Sequence, residues 1–142
     1  MAPTILVADD QSSTRAHLAG RLVDAGFAVV EACDGLEAWE RFRQQPPDLV
    51  LADLRMPRCD GLELLERVRA ESAVPVIIFT AYGDVPTAVH AMKSGAEEFL
   101  SFDGLDVSQL VERIRRLVRS AESGGAEQEL AQRIVGWSAA MQ

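Results

Sequence analysis

Five short apolar runs, each followed by a stretch of helical spacing, constrain this chain more than any other feature. The runs are Ile5-Leu6-Val7-Ala8, Phe27-Ala28-Val29-Val30, Leu49-Val50-Leu51-Ala52, Val76-Ile77-Ile78-Phe79 and Phe99-Leu100. Most are continuous rather than alternating, the pattern of strands buried on both faces of a parallel sheet. The last is short, and periodicity alone does not identify it. Between the runs, Leu18, Ala19, Leu22 and Val23 form a helical stripe, with Ser12 and Ser13 as N-cap candidates and Gly26 as its end. Leu36, Trp39 and Phe42 form a second at core spacing, stopped by Pro46-Pro47. Leu62, Leu65 and Val68 form a third after Asp60-Gly61. Val85, Val89 and Met92 form a fourth, capped by Asp84 and ended at Gly95. The fifth is the longest: Val107, Leu110, Val111, Ile114, Leu117, Val118 and Ala121. Five strand–helix units joined by short connections require right-handed crossovers, a parallel sheet and helices on both of its faces. The expected fold is a doubly wound α/β sandwich, in which ligands sit beyond the carboxyl ends of the strands.

The 142 residues suffice for about one domain with a real core. The texture changes after Ala121: Glu122-Ser123-Gly124-Gly125 breaks the helical pattern, and Leu130, Ile134 and Trp137 resume it in a tail too short to fold alone. The net charge of −8 argues against this chain coating a nucleic-acid backbone. The longest apolar stretch, Val74 to Phe79, has six residues and contains a proline, too short to span a membrane. Met1-Ala2-Pro3-Thr4 lacks the basic start and apolar region of a signal peptide. Cys33 and Cys59 make no metal-ligand spacing and read as reduced thiols, a single disulfide being the alternative. The expectation is a cytoplasmic protein.

Polar residues stand immediately after three of the apolar runs: Asp9-Asp10 after the first, Asp53 after the third and Thr80 after the fourth. On adjacent parallel strands they converge in one shallow pocket. Two unit charges about 4 Å apart repel by about 4 kcal/mol at an effective dielectric near 20. A hard divalent cation relieves that repulsion, and an oxygen-only donor set suits Mg2+, which keeps several waters and bridges to phosphate. The residues therefore suggest a Mg2+ site in which one carboxylate attacks phosphorus, with the Thr80 hydroxyl bonding a phosphoryl oxygen. The plainer alternative, that acids at strand ends merely cap the following helices, suits one aspartate better than three acids and a hydroxyl together.

These motifs resemble the receiver domain of two-component response regulators. The resemblance rests on Leu6-Val7-Ala8-Asp9-Asp10, on Asp53-Leu54-Arg55-Met56-Pro57 with Asp60-Gly61-Leu62-Glu63-Leu64, on Pro75-Val76-Ile77-Ile78-Phe79-Thr80-Ala81, and on Ala91-Met92-Lys93-Ser94-Gly95-Ala96. It implies a flavodoxin-like sheet of strand order 2-1-3-4-5 in a receiver spanning residues 1–121. It implies that Asp53 accepts a phosphoryl group from a sensor histidine kinase. Asp10, Asp53 and the Arg55 backbone carbonyl would ligate Mg2+, with Asp9 assisting through water, and Thr80 would be the switch hydroxyl. Receivers of this family commonly dimerise through the face built from the fourth helix, fifth strand and fifth helix.

The chain departs from the family after Gly95-Ala96-Glu97-Glu98-Phe99-Leu100-Ser101. By count, the family's lysine falls on Phe102, its proline on Asp103, and the aromatic switch position on Phe99, which lacks a hydroxyl. A lysine there pairs with the phosphorylated aspartate, and phenylalanine supplies no such charge. Either Asp53 is still phosphorylated, with its coupling to the outer face rewired, or Phe102 plugs the site of a phosphorylation-independent dimerisation or docking module. Arg55 and Arg58 are candidate substitute cations. Haloacid-dehalogenase-type phosphatases carry a second acid two residues after the nucleophile; here Arg55 stands there, so no general acid is in place and the expectation is a non-enzyme.

His17 and His90 stand alone on helical segments and read as solvated. Arg113, Arg115, Arg116 and Arg119 make the fifth helix locally basic, a solvated face or part of a dimer surface. Ile134-Val135-Gly136-Trp137-Ser138-Ala139-Ala140-Met141-Gln142 resembles the opening of the AAA+ ATPase domain of NtrC-type transcription activators. Residues 122–142 are accordingly expected to be a linker helix and the start of a truncated AAA+ domain, with AAA+ and DNA-binding domains downstream in the full-length protein.

Overall fold

A computed structural model describes residues 2–81, 84–101 and 106–123, with side chains described through residue 119. The elements alternate without exception: β1 (Thr4–Ala8), α1 (Ser12–Asp24), β2 (Ala28–Ala32), α2 (Gly35–Gln44), β3 (Leu49–Asp53), α3 (Gly61–Glu71), β4 (Val76–Thr80), α4 (Val85–Lys93), β5 (Glu98–Ser101) and α5 (Val107–Ser123). The strands form one five-stranded sheet of order β2-β1-β3-β4-β5, and every pairing is parallel. This is the doubly wound, flavodoxin-like α/β fold, with the strand order that the family resemblance implied. The switch in strand order lies between β1 and β3, whose carboxyl ends carry Asp9-Asp10 and Asp53.

The continuous apolar runs behave as expected only at the centre of the sheet. β1, β3 and β4 are buried almost throughout, whereas β2 and β5, the two edges, are largely half-buried or exposed. An edge strand has one neighbour instead of two, so the same apolar texture leaves part of it in water. Phe27, expected in the second strand, is buried in the turn before β2, its amide donating to the Leu22 carbonyl. On one face of the sheet Leu6, Ala8, Val50, Ala52 and Ile78 pack with Ala38 and Phe42 of α2 and Leu64, Leu65 and Val68 of α3. The alternating residues Ile5, Val7, Leu49, Leu51, Ile77 and Phe79 are equally buried, together with Leu18 and Leu22 of α1. Trp39 is only partly buried; its ring stacks on Phe42 with centroids 5.7 Å apart, and the Arg43 guanidinium lies 5.8 Å from its centroid.

Aspartates start four of the helices, Asp106 before α5 accepting from the Ser108 amide at 2.9 Å. Asp34 accepts from the Glu37 amide, Asp84 from the Thr87 amide, and Asp60 forms a reciprocal capping box with Glu63. α1 differs from expectation: its cap position is Gln11, Ser12 and Ser13 lie inside the first turn, and no side chain caps it. The Gln11 amide donates instead to Asp9 Oδ1 at 2.9 Å, so the strand-end acid takes up a donor at this helix entry. Gly26 (φ +100°) and Gly95 (φ +107°) end α1 and α4 in the left-handed region that favours glycine.

Two apolar stripes depart from their expected burial. Val23 of α1 is exposed, and in α4 Val85, Val89 and Met92 are 74%, 44% and 48% exposed. The buried residue of α4 is Ala91, so the helix meets the rest of the domain through its smallest side chain and turns its larger ones outward. Cys33 is exposed and Cys59 buried, and both are free thiols, which excludes a disulfide between them.

The chain divides into two compact units, Met1–Val111 and Glu112–Gln142. In the second, Ile114 and Val118 are buried and Arg115 pairs with Glu112 at 3.7 Å. Phe102, Asp103 and the tail with Leu130, Ile134, Trp137 and the AAA+-like stretch lie outside the described residues. Among the described residues, no helix is long and apolar enough to cross a membrane.

Candidate functional site

Sheet register brings the strand-end residues together. Ala8 pairs with Ala52, so Asp9 and Asp53 follow side by side as β1 and β3 leave the sheet. Asp53 pairs with Phe79, which puts Thr80 one residue further along the neighbouring strand. Thr80 in turn pairs with Ser101, the last residue of β5. The Leu54 amide donates to the Phe79 carbonyl at 2.8 Å, holding the start of the β3–α3 loop against β4. Asp9, Asp10 and Asp53 each offer a carboxylate oxygen within 4.8 Å of the others. With Gln11, Thr14, Arg55, Phe79, Thr80 and Ala81 they line a cavity of about 260 Å3. Its walls differ in accessibility: Asp9 and Thr80 are each 1% exposed, Asp53 is half-buried and Asp10 is exposed.

This environment penalises negative charge. Burial pushes the Asp53 carboxyl up to about 7, offset in part by the Arg55 amide, which donates to Asp53 Oδ1 at 3.2 Å, and reinforced by the charge of Asp9. Burial also raises the Asp9 carboxyl, against the Gln11 amide that stabilises its charged form. Desolvation and like charge act together, as expected where acids share a pocket. The donor set fits a hard divalent cation: three carboxylates, all oxygen, converge on one point, and their mutual repulsion is what a cation would relieve.

The geometry also sorts the candidates that the sequence left open. Of the two arginines after Asp53, Arg55 lines the acidic cavity. Arg58 does not; it adopts φ 71° and its Nε lies 3.4 Å from Asp34 Oδ2. His17 is exposed, and His90 Nε2 lies 3.9 Å from Glu66 Oε2 with both side chains in solvent. Phe99 pairs with Ile78 on β5 and is half-buried.

Residues 5–115 match the response regulator receiver domain model. The chain belongs to that family. It is a receiver domain of a two-component response regulator. A curated relative, "Probable transcriptional regulator ycf27" of Guillardia theta, is 36% identical over 115 residues, 81% of this chain and 45% of its own length. The transcriptional regulatory protein ZraR of Klebsiella oxytoca is 41% identical over 143 residues, covering 96% of this chain and 32% of that protein. The crystal structure of NtrX from Brucella abortus in complex with ADP superposes with a TM-score of 0.79 at 29% identity, covering 93% of this receiver and 30% of that chain. The receiver spans about half the length of the curated relatives it matches first.

One feature of the pocket escaped the sequence reading. Arg15, in the first turn of α1, donates from Nη1 to the Asp9 carbonyl at 2.7 Å and from Nε to Glu31 Oε1 at 3.0 Å. Its signal in the sequence is faint: Glu31 is an acid directly after the apolar run Phe27-Ala28-Val29-Val30, and its partner Arg15 stands 16 residues away.

Proposed function

We propose that this receiver takes a phosphoryl group from a sensor histidine kinase onto Asp53, with Mg2+ bound between Asp10, Asp53 and the Arg55 carbonyl and with Asp9 assisting through water. The observation that carries this reading is the convergence of Asp9, Asp10 and Asp53 within 4.8 Å beside a buried Thr80. An Asp53 carboxylate oxygen attacks phosphorus; the P–N bond of the kinase's phosphohistidine breaks, its electron pair leaves with the imidazole nitrogen, and an acyl phosphate forms. The bound cation would supply charge neutralisation for the phosphoryl oxygens. Asp9 holds the entry to α1 through the Gln11 amide, the Arg55 amide orients Asp53 Oδ1, and the Thr80 hydroxyl, which lines the same cavity from the neighbouring strand, would bond a phosphoryl oxygen. Arg55 stands where a phosphatase would need a second acid, which supports a signalling role without turnover. The expected location is the cytoplasm.

The same reading extends to assembly. We infer that the full-length protein is an NtrC-type transcription activator with AAA+ and DNA-binding domains downstream, and that phosphorylation controls their assembly. The AAA+-like residues 134–142 and the 41% identity to ZraR support this. Homodimerisation through α4, β5 and α5 is supported by the outward stripe of Val85, Val89 and Met92. Acetyl phosphate or beryllofluoride with Mg2+, followed by intact mass and binding measurements, tests the central step. An adduct on the wild type that is lost in Asp53→Ala is expected; no adduct under saturating conditions overturns it.

Phe102 at the family's lysine position favours a second reading, a phosphorylation-independent dimerisation or docking module. That reading requires the same oligomeric state in wild type, in Asp53→Ala and across a beryllofluoride titration. If the missing cation only weakens the coupling, Phe102→Lys strengthens the beryllofluoride-linked change.

A further inference from the structure

We propose that Arg15 is a positioning residue of the acidic pocket, fixing the main chain of Asp9 while Glu31 balances its charge; this rests on the metal reading above. Asp9 is the most deeply buried of the three acids and leaves β1 at the point where the chain turns into α1. Its amide is fixed by the Ala32 carbonyl at 3.1 Å and one carboxylate oxygen by the Gln11 amide. Its carbonyl is held by Arg15 Nη1 at 2.7 Å. The Arg15 side chain is only 18% exposed, unlike an ordinary surface cation. Its Nε is taken by Glu31, which stands on the edge strand β2 in register with Val7. One planar guanidinium thus ties the Asp9 backbone to β2 through two directions at once, a geometry that the single ammonium of lysine does not reproduce.

Charge and position predict opposite effects here. A positive charge beside a cation site repels the cation, so if Arg15 acted by charge alone its removal would tighten Mg2+ binding. If Arg15 acts by holding Asp9, its removal loosens one side of the pocket and weakens binding. Outer groups that orient metal ligands commonly account for about 10–100-fold in affinity. Glu31 offsets the charge of Arg15 and leaves its positioning effect dominant.

The test is Mg2+ titration of the 142-residue chain by calorimetry, with Asp9 and Asp10 amide resonances followed by NMR and metal-free Tm recorded in parallel. Both Arg15→Ala and Arg15→Lys are expected to raise the Mg2+ Kd by about tenfold, at the lower end of that range, and to displace the Asp9 and Asp10 resonances before metal is added. Glu31→Gln keeps the shape of the edge strand and is expected to weaken binding by a smaller factor. Wild-type affinity in Arg15→Lys shows that a point charge suffices and overturns the proposal. Unchanged or tighter binding in both Arg15 variants, with only Tm lowered, also overturns it and leaves Arg15 a structural residue. Absence of Mg2+ binding by the wild type overturns the metal reading itself, which separates the two failures.

Discussion

Asp53 is a carboxylate held where negative charge is unfavourable, and the consequence is a stability that depends on pH in an unusual direction. Its carboxyl is raised from 3.8 to about 7, chiefly by burial, so between those pH values the folded chain binds more protons than the unfolded one. Metal-free stability therefore falls as pH rises from about 4 to about 7, and the loss is complete above that window. Asp53→Asn keeps the shape and removes the charge. At pH 8 without metal it is expected to be the more stable protein by about 1 kcal/mol, after discounting the shift for solvent screening of a half-exposed group. Thermal melts of the two proteins at acid and alkaline pH check this, and Mg2+ should raise the wild-type Tm at pH 8 while leaving Asp53→Asn unmoved. The acids and Thr80 were legible in the sequence because a parallel strand delivers its next residue to the ligand end wherever the apolar run stops. Arg15 was not, because its partner is a main-chain carbonyl, and a carbonyl leaves no mark in a pattern of side chains.

Elements show why not every aspartate here belongs to the pocket. Asp34, Asp60 and Asp84 each accept a backbone amide at a helix start, the ordinary work of an N-cap. Asp60→Ala removes the carboxylate that accepts the Glu63 amide and leaves the backbone half of the capping box, and is expected to cost about 1 kcal/mol in chemical denaturation. It should leave Mg2+ affinity nearly unchanged, since Asp60 is not among the converging carboxylates. The next residue behaves differently. A Cβ on Gly61 would lie 2.6 Å from the Asp53 carbonyl oxygen and 3.0 Å from the Leu54 Cα, both backbone atoms with little freedom to retreat. Gly61→Ala is expected to cost about 1–3 kcal/mol by overpacking and to weaken Mg2+ binding as well, because the displaced atoms belong to Asp53 itself and to Leu54 just after it; calorimetry against the Asp60 variant separates the two effects. Helix starts were thus readable from the sequence, but helix faces were less so. Spacing identifies a stripe without saying which side packs, and α4 shows the ambiguity, for Ala91 is buried while Val85, Val89 and Met92 face outward.

For the whole molecule, that outward stripe is where the proposed chemistry and the proposed assembly can be tested against each other. Three large apolar side chains on one short helix are more than scattered surface residues require, and such patches mark contact surfaces. α4 follows the β4 end that carries Thr80, so the patch lies directly downstream of the proposed switch hydroxyl in the chain. Val89→Glu places a charge in the middle of the stripe, at a position 44% exposed, where the effect on folding should stay within about 0.5 kcal/mol. If phosphorylation drives dimerisation through this face, Val89→Glu stays monomeric in beryllofluoride and Mg2+ by sedimentation, while still binding Mg2+ and still forming the Asp53 adduct. A variant that dimerises as the wild type does removes α4 from the interface and leaves the adduct chemistry intact. A variant that loses the adduct as well shows that the patch supports the pocket, and the separation of site from surface fails. The net charge of −8 sharpens the first outcome: two acidic copies repel, so a dimer of this chain depends on apolar contact, and one added carboxylate per subunit acts on both terms in the same direction.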